Sequence, residues 1–176
     1  MSCVIAISAI SGGGKTTLTK ALLPRLPGAR ALHFDDIPGR LLPMDYCEWS
    51  ESGADYSLWN LSALEDGLRR LLAEKTAYIL VDYPFGRAHP VIASYLDHAI
   101  WIDTSLDIAL ARHVLRDTPR KGMETILRSL DYYLARQRQA YLMHEATVLP
   151  TCDFVLDGTL PVEQSADLTM DKLCLR

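Results

Sequence analysis

The sequence predicts a three-layer α/β domain built on a five-stranded parallel sheet. Three observations predict it: short, continuously apolar, β-branched runs; stretches of helical apolar periodicity alternating with them; and a glycine-rich turn joining the first run to the first helix. Strands linked through helices pair in parallel by right-handed crossovers, which puts helices on both faces of the sheet. The 176 residues fit one domain, 1–176, with a single core.

Taken in order, Val4-Ile5-Ala6-Ile7 is apolar on every residue, as a strand buried on both faces must be. The glycines after it end the strand, and Thr16 to Leu23 forms a helix stopped before Pro24. Ala31 to Phe34 is a second strand, ending in Asp35-Asp36. Residues 37 to about 60, with Pro, Gly, Asp, Ser and aromatics, form an acceptor-side insertion. Leu61, Leu64, Leu68, Leu71 and Leu72 recur at helical spacing and predict an amphipathic helix from about 60 to 74. Ala77 to Val81, closing with Asp82, is the third strand, and His98 to Ile102 the fourth. Asp103-Thr104-Ser105 supplies capping residues for a helix from about 106 to 117, which Pro119 is expected to break. Met123 through Tyr141 marks another long helix, Phe154 to Leu156 a last strand, and Val162 to Leu173 a terminal helix.

Composition narrows the function classes. With 49% hydrophobic and 23% charged residues, the chain is globular rather than disordered. A net charge of -4 supplies no overall attraction to polyanions, so nucleic acid is not expected and phosphate binding must rest on a local positive site. Cys3, Cys47, Cys152 and Cys174 form no CxxC pair and are expected as reduced thiols in a cytoplasm. The first residues lack a basic leader and no run reaches the roughly 18–20 apolar residues of a membrane span, so a soluble, cytoplasmic protein without a membrane partner is expected.

The chemistry is concentrated in Ser11-Gly12-Gly13-Gly14-Lys15-Thr16-Thr17, set between a buried strand and a helix as a Walker A loop requires. Glycines let successive N–H groups turn onto phosphate oxygens and the helix N-terminus adds positive potential. Lys15 would bridge the outer phosphates of ATP and the Thr16 hydroxyl would ligate Mg2+. The usual pattern begins with glycine where this chain has Ala9. The loop predicts a P-loop NTPase fold. The chain lacks the Asn-Lys-x-Asp and Asp-x-x-Gly segments of a GTPase and is short for a motor-type ATPase, which leaves a small kinase.

The GGGKTT loop, FDD at 34–36, ILVDYP at 79–84, IDTSLDIALARHVLRD at 102–117 and LDGT at 156–159 occur in order along most of the chain. Together they resemble the uridine kinase and nicotinamide riboside kinase branch of the P-loop kinases, with phosphoribulokinase and pantothenate kinase as more distant relatives. The resemblance implies an ATP-dependent, magnesium-requiring transfer to a hydroxyl of a small metabolite, a nucleoside or another sugar-like alcohol. It makes Asp35, 20 residues after Lys15, the acceptor of the substrate proton, with Asp36 as the near alternative. Asp82 takes a place where relatives more often carry glutamate, and is assigned to magnesium through water or to a substrate hydroxyl. Arg112, Arg116 and Arg120 are implied as lid arginines over the phosphates, in a helical lid from about 112 to 125 hinged at Gly122.

On the acceptor side, Tyr56 is placed to stack on a planar ring and Asn60 to bond a hydroxyl, with Trp59 beside them; packing of Tyr56 and Trp59 in the core is the open alternative. The acidic residue that relatives carry after Tyr56 is missing. No histidine is assigned to catalysis, and Arg87 and His89 are expected in a surface loop. Two other functions stay open: a kinase for a non-nucleoside alcohol such as a pantothenate, sugar or antibiotic, and a non-catalytic ATP-binding regulatory module.

Overall fold

The computed structural model describes residues 2–38 and 42–175. Five strands, β1 (Cys3–Ser8), β2 (Arg30–His33), β3 (Tyr78–Asp82), β4 (His98–Asp103) and β5 (Phe154–Asp157), form one all-parallel sheet in the order β2-β3-β1-β4-β5. β1 lies at the centre, with Val4 opposite Ile79 on one side and Ala6 opposite Ala99 on the other.

Alternation along β1 divides the core into two. Val4 and Ala6 face the layer holding Leu64, Leu68 and Leu71 of α3 (Ser62–Ala73). Ile5 and Ile7 face Leu18 and Leu22 of α1 (Lys15–Leu22) and Ala166 of α8 (Val162–Lys172). These side chains are buried, each contributing about 1.5–3 kcal/mol for the larger aliphatics. An uninterrupted apolar strand is therefore what a two-faced sheet demands.

The strands lie within a residue or two of the sequence reading; several helical features differ from it or add to it. The insertion contains a helix, α2 (Tyr46–Glu51), because Asp45 caps it: its side chain accepts from the N–H of Cys47 at 2.9 Å and of Glu48 at 3.3 Å. Trp49 of α2 anchors the insertion, donating from Nε1 to Asp55 O at 2.8 Å and meeting the Tyr56 ring edge-on at 5.0 Å. After the short α4 (Pro90–Ala93), α5 runs Leu106–Lys121, passing through Pro119 where a break was expected. Proline costs the helix one N–H donor, yet the chain stays helical until Gly122, whose φ of +77° ends it. The long helix after it divides into α6 (Met123–Tyr132), a π turn over Tyr133–Gln137 and α7 (Arg138–Val148).

Because all strands run one way, Ser8, His33, Asp82, Asp103 and Asp157 end at the same edge. Winding reverses next to β1: β2 and β3 lie to one side, β4 and β5 to the other. A binding crevice is expected at that point, beyond the strand ends. Among the described residues no helix is long and apolar enough to cross a membrane.

Candidate active site

The glycine loop leaves β1 and turns into α1 through Gly12 and Gly14, whose φ angles of +81° and +104° are the left-handed conformations that side chains resist. Close approach constrains it further. A Cβ on Gly12 would run into the Ala109 carbonyl of α5, and one on Gly13 would stand 2.6 Å from the Ala9 Cβ. Gly14 has open space where a Cβ would be.

Lys15 Nζ donates to the carbonyls of Ala9 and Ile10, both at 3.1 Å. Burial holds its pKa below the ordinary lysine value; Asp82 and Asp35 oppose that shift and Arg116 adds to it. The loop is braced from the end of β4. There the buried Thr104 hydroxyl donates to Gly13 O at 2.9 Å, and Gly158 packs so closely on Thr104 that a Cβ at 158 would overlap the hydroxyl. The LDGT segment thus supplies a surface against which the brace is seated.

Asp82, 5% exposed, ends β3 beside the loop. Its Oδ2 accepts from the Thr16 hydroxyl at 2.5 Å and from His33 Nδ1 at 3.0 Å. Thr16 and Asp82 are therefore a ready pair of oxygen donors, suited to a hard cation such as Mg2+. Among the described residues no three His, Cys, Asp or Glu side chains gather to hold a metal, so an ion at this pair would take its other oxygens from phosphate and water. His33, not assigned to catalysis from the sequence, also meets the Asp82 carboxylate. No sequence spacing announces that contact, because 49 residues separate the two.

A cleft of about 870 Å³ lies over the loop, lined by Ser11 through Thr17, by Asp35, by Arg112, Arg116 and Arg120, and by Leu156, Gly158 and Leu160. All three predicted lid arginines reach it. Arg112 Nη2 donates to Gly158 O at 3.0 Å, while Arg116 Nε donates to Asp117 Oδ1 at 2.7 Å. A second cleft of about 270 Å³ opens on the other side of Lys15, walled by Phe34, Tyr46, Trp59, Phe85 and Tyr141, with Asp35, Asp82, Gln137 and His144 among its polar groups. Ser11, Lys15 and Asp35 line both clefts.

Several expected acceptor-side residues sit elsewhere. Asp35 belongs to the turn Phe34–Asp36 and lines both clefts, whereas Asp36 lines neither. Tyr56, 8% exposed, is a core residue: its hydroxyl pairs with Thr147 Oγ1 at 2.7 Å and its ring packs on Trp49 and Phe85. The ring is held there because Asp55 caps the turn that follows, accepting from Ser57 N at 2.9 Å. Asn60 is exposed and turns back on Ser62 at the start of α3, its Oδ1 accepting from Ser62 N at 3.2 Å and the Ser62 hydroxyl at 2.9 Å. Trp59 alone of the three walls the cleft.

The remaining wall was missed in the sequence. Gln137 and Tyr141 come from the π turn and α7, and they reach the cleft only because that helix crosses the insertion; Tyr132 OH donates to Asp45 at 2.8 Å and Arg136 pairs with Glu51 at 2.9 Å. His144 is buried with Nε2 donating to Pro84 O at 2.9 Å, and burial lowers its pKa to about 4. Arg87 and His89 are structural rather than loose: Arg87 pairs with Asp153 at 3.0 Å, and the buried His89 donates from Nε2 to Trp59 O at 3.1 Å, fixing the Trp59 backbone.

No family model matches the chain. It is 33% identical over 91 residues to nicotinamide riboside kinase 2 of Mus musculus, a match covering 52% of this chain and 44% of that protein. The corresponding protein of Homo sapiens is 32% identical over 91 residues, covering 52% and 37%. The chain thus matches less than half the length of these relatives. Solved structures with the same architecture include deoxyadenosine kinase from M. mycoides, with TM-score 0.56, 17% identity and coverage of 97% and 98% of the two chains. Shikimate kinase from Bacteroides thetaiotaomicron gives TM-score 0.61, 16% identity and coverage of 98% and 99%. Sheet order, phosphate loop and these likenesses together give the chain the fold of the P-loop small-molecule kinases.

Proposed function

We propose that the protein is an ATP-dependent kinase that transfers the γ-phosphoryl group to a hydroxyl of a nucleoside-like small molecule. One observation carries the reading: a large cleft over the phosphate loop and a smaller aromatic cleft meet at Ser11, Lys15 and Asp35. Two compartments joined at a cation and a carboxylate suit in-line transfer between two bound reactants, where positioning is most of the catalysis. A regulatory nucleotide switch has no use for the second cleft.

In this reading the loop N–H groups and Lys15 hold the donor's phosphates, and Thr16 and Asp82 offer oxygens to Mg2+. The bound ion would neutralise and orient phosphate oxygens. Lys15 exchanges the carbonyls of Ala9 and Ile10 for the outer phosphates, to which it is a better match in charge. Asp35 accepts the proton as the acceptor oxygen bonds to the γ-phosphorus, and the bond from that phosphorus to the β–γ bridging oxygen breaks to release ADP. Arg112, Arg116 and Arg120 close over the charge and exclude water.

The acceptor class follows from the wall. Phe34, Tyr46, Trp59, Phe85 and Tyr141 offer ring faces and edges to a planar group, and Gln137 can both donate and accept for hydroxyls or ring substituents. A nucleoside combines those features, and the partial likeness to nicotinamide riboside kinase 2 supports the same class.

The test is ADP release from MgATP against uridine, cytidine, deoxyadenosine, nicotinamide riboside, shikimate, pantothenate and simple sugars, with Lys15→Ala as the blank. Stimulation by one or more nucleosides, lost in the variant, is expected. Stimulation only by alcohols without a planar ring refutes the acceptor class, and a flat panel with intact MgATP binding refutes the kinase.

A further inference from the structure

Asp117 is an anomaly on the lid. Beyond Ala109 no other residue of α5 is buried, and Leu115 is 76% exposed, yet Asp117 two residues later is 3% exposed. A buried carboxylate requires partners, and the two that hydrogen-bond to it, Arg116 and Lys121, are cationic side chains. Oδ1 accepts from Arg116 Nε at 2.7 Å, Oδ2 accepts from Lys121 Nζ at 2.6 Å, and His113 Nε2 lies 3.6 Å from Oδ2. The Arg116 guanidinium and the Lys121 ammonium hold the carboxyl well below the usual range. Arg116 also meets His113, Nη2 to Nδ1, at 3.0 Å.

Arg116, Asp117 and Lys121 all line the donor cleft, facing the phosphate loop. Arg116 and Lys121 carry long side chains, each about half exposed, that would otherwise explore solvent and repel one another. Bound to one carboxylate they are ordered before any nucleotide arrives. Arg116 is held by Nε, which leaves its Nη1 group for a phosphate oxygen.

We propose that Asp117 is a positioning residue that presets Arg116 and Lys121 toward the phosphoryl group in transfer, rather than an acid that merely stabilises the lid. The inference rests on the kinase reading above. It has a consequence that a structural role lacks. Neutralising Asp117 makes the cleft more positive, which favours polyanion binding, while it releases the cations whose placement serves the transition state. Binding and chemistry should therefore move apart.

The experiment compares Asp117→Asn and Asp117→Glu with the wild type on whichever acceptor gives the highest turnover. Asparagine keeps the shape and removes the charge, and because its cations are exposed the fold should survive; circular dichroism and melting check this. The expected result is a kcat lower by about 10- to 100-fold in Asp117→Asn with the KM for ATP unchanged or reduced, and substantial recovery in Asp117→Glu. The Arg116 Nε–H resonance in 15N-arginine spectra, assigned with Arg116→Lys, should be protected in the wild type and lost in Asp117→Asn. A kcat within threefold of wild type, a loss expressed as a raised KM for ATP, or an Asp117→Glu enzyme as slow as Asp117→Asn overturns the assignment while the kinase stands. A wild type that phosphorylates no alcohol overturns the kinase reading, and the inference with it.

Discussion

Replacing Thr104 with valine removes one hydroxyl from beneath the phosphate loop and leaves the side chain's shape intact. The hydroxyl is buried and donates to Gly13 O at 2.9 Å. Its loss leaves a buried carbonyl without that donor, at a cost of about 1–3 kcal/mol. For a domain of 176 residues, about 2 kcal/mol lowers the melting temperature by roughly 4–8 °C. The functional effect is separate. A peptide unit is planar, so fixing the Gly13 carbonyl fixes the direction of the Gly14 N–H on the far side of the same peptide bond. Gly14 is among the residues that line the donor cleft, and there is open space where its Cβ would be. Releasing the carbonyl should blur one donor aimed at phosphate and weaken ATP binding about 5- to 10-fold, equivalent to roughly 1 kcal/mol. Differential scanning fluorimetry without nucleotide reads the first effect, and titration calorimetry with MgATP reads the second. A melting temperature within 1 °C of wild type together with unchanged ATP affinity would refute the brace.

Other outcomes follow from the same geometry. Asp35→Ala should lower transfer by at least about 100-fold while ATP still binds, and Asp36→Ala should stay within a few-fold of wild type; steady-state kinetics decide, and equal losses would deny Asp35 its separate role. Tyr56→Phe should melt at a lower temperature, the cost of its hydrogen bond to Thr147 being about 1 kcal/mol, with the acceptor KM unchanged, whereas Trp59→Ala should raise that KM; a raised acceptor KM in Tyr56→Phe would return Tyr56 to the site. His144 supplies a pH test. Its folded pKa of about 4 lies below the ordinary 6.5, so the unfolded chain binds the extra proton between those values and stability falls as pH drops from 6.5 toward 4. The gap corresponds to about 3 kcal/mol, and denaturant melts of His144→Gln across that window should show a shallower slope than wild type.

The elements legible in sequence are those whose cause is local. The β1 run Val4–Ile7 is apolar on every residue because both faces of a central parallel strand are buried. The glycines after it must be glycines because the chain turns through left-handed φ and passes under α5. Lys15 and Thr16 could be named from the loop pattern between a strand and a helix, and Asp35 and Asp82 because topology sends every parallel strand end to one edge. The fold and the glycine loop were therefore present in pattern and spacing, while the roles expected of Asp35 and the lid arginines came from resemblance.

What tertiary structure decided is which side chains meet across long separations. Tyr56 and Trp59 are three residues apart and equally aromatic, yet Asp55 capping and the Thr147 hydroxyl turn one into the core, while His89 fixes the other at the cleft. Phe34, Phe85, Gln137, Tyr141 and His144 converge from three distant segments, and no period in the sequence records that they share a wall. Pro119 reads as a break from propensity alone, but the helix runs on to Gly122, with Arg116 and Lys121 gathered on Asp117. The sequence by itself determined the sheet and the glycine loop, because backbone geometry and burial period dictate them within a few residues. The acceptor wall and the setting of the lid cations depend on contacts between remote segments, and only the packed chain decides those.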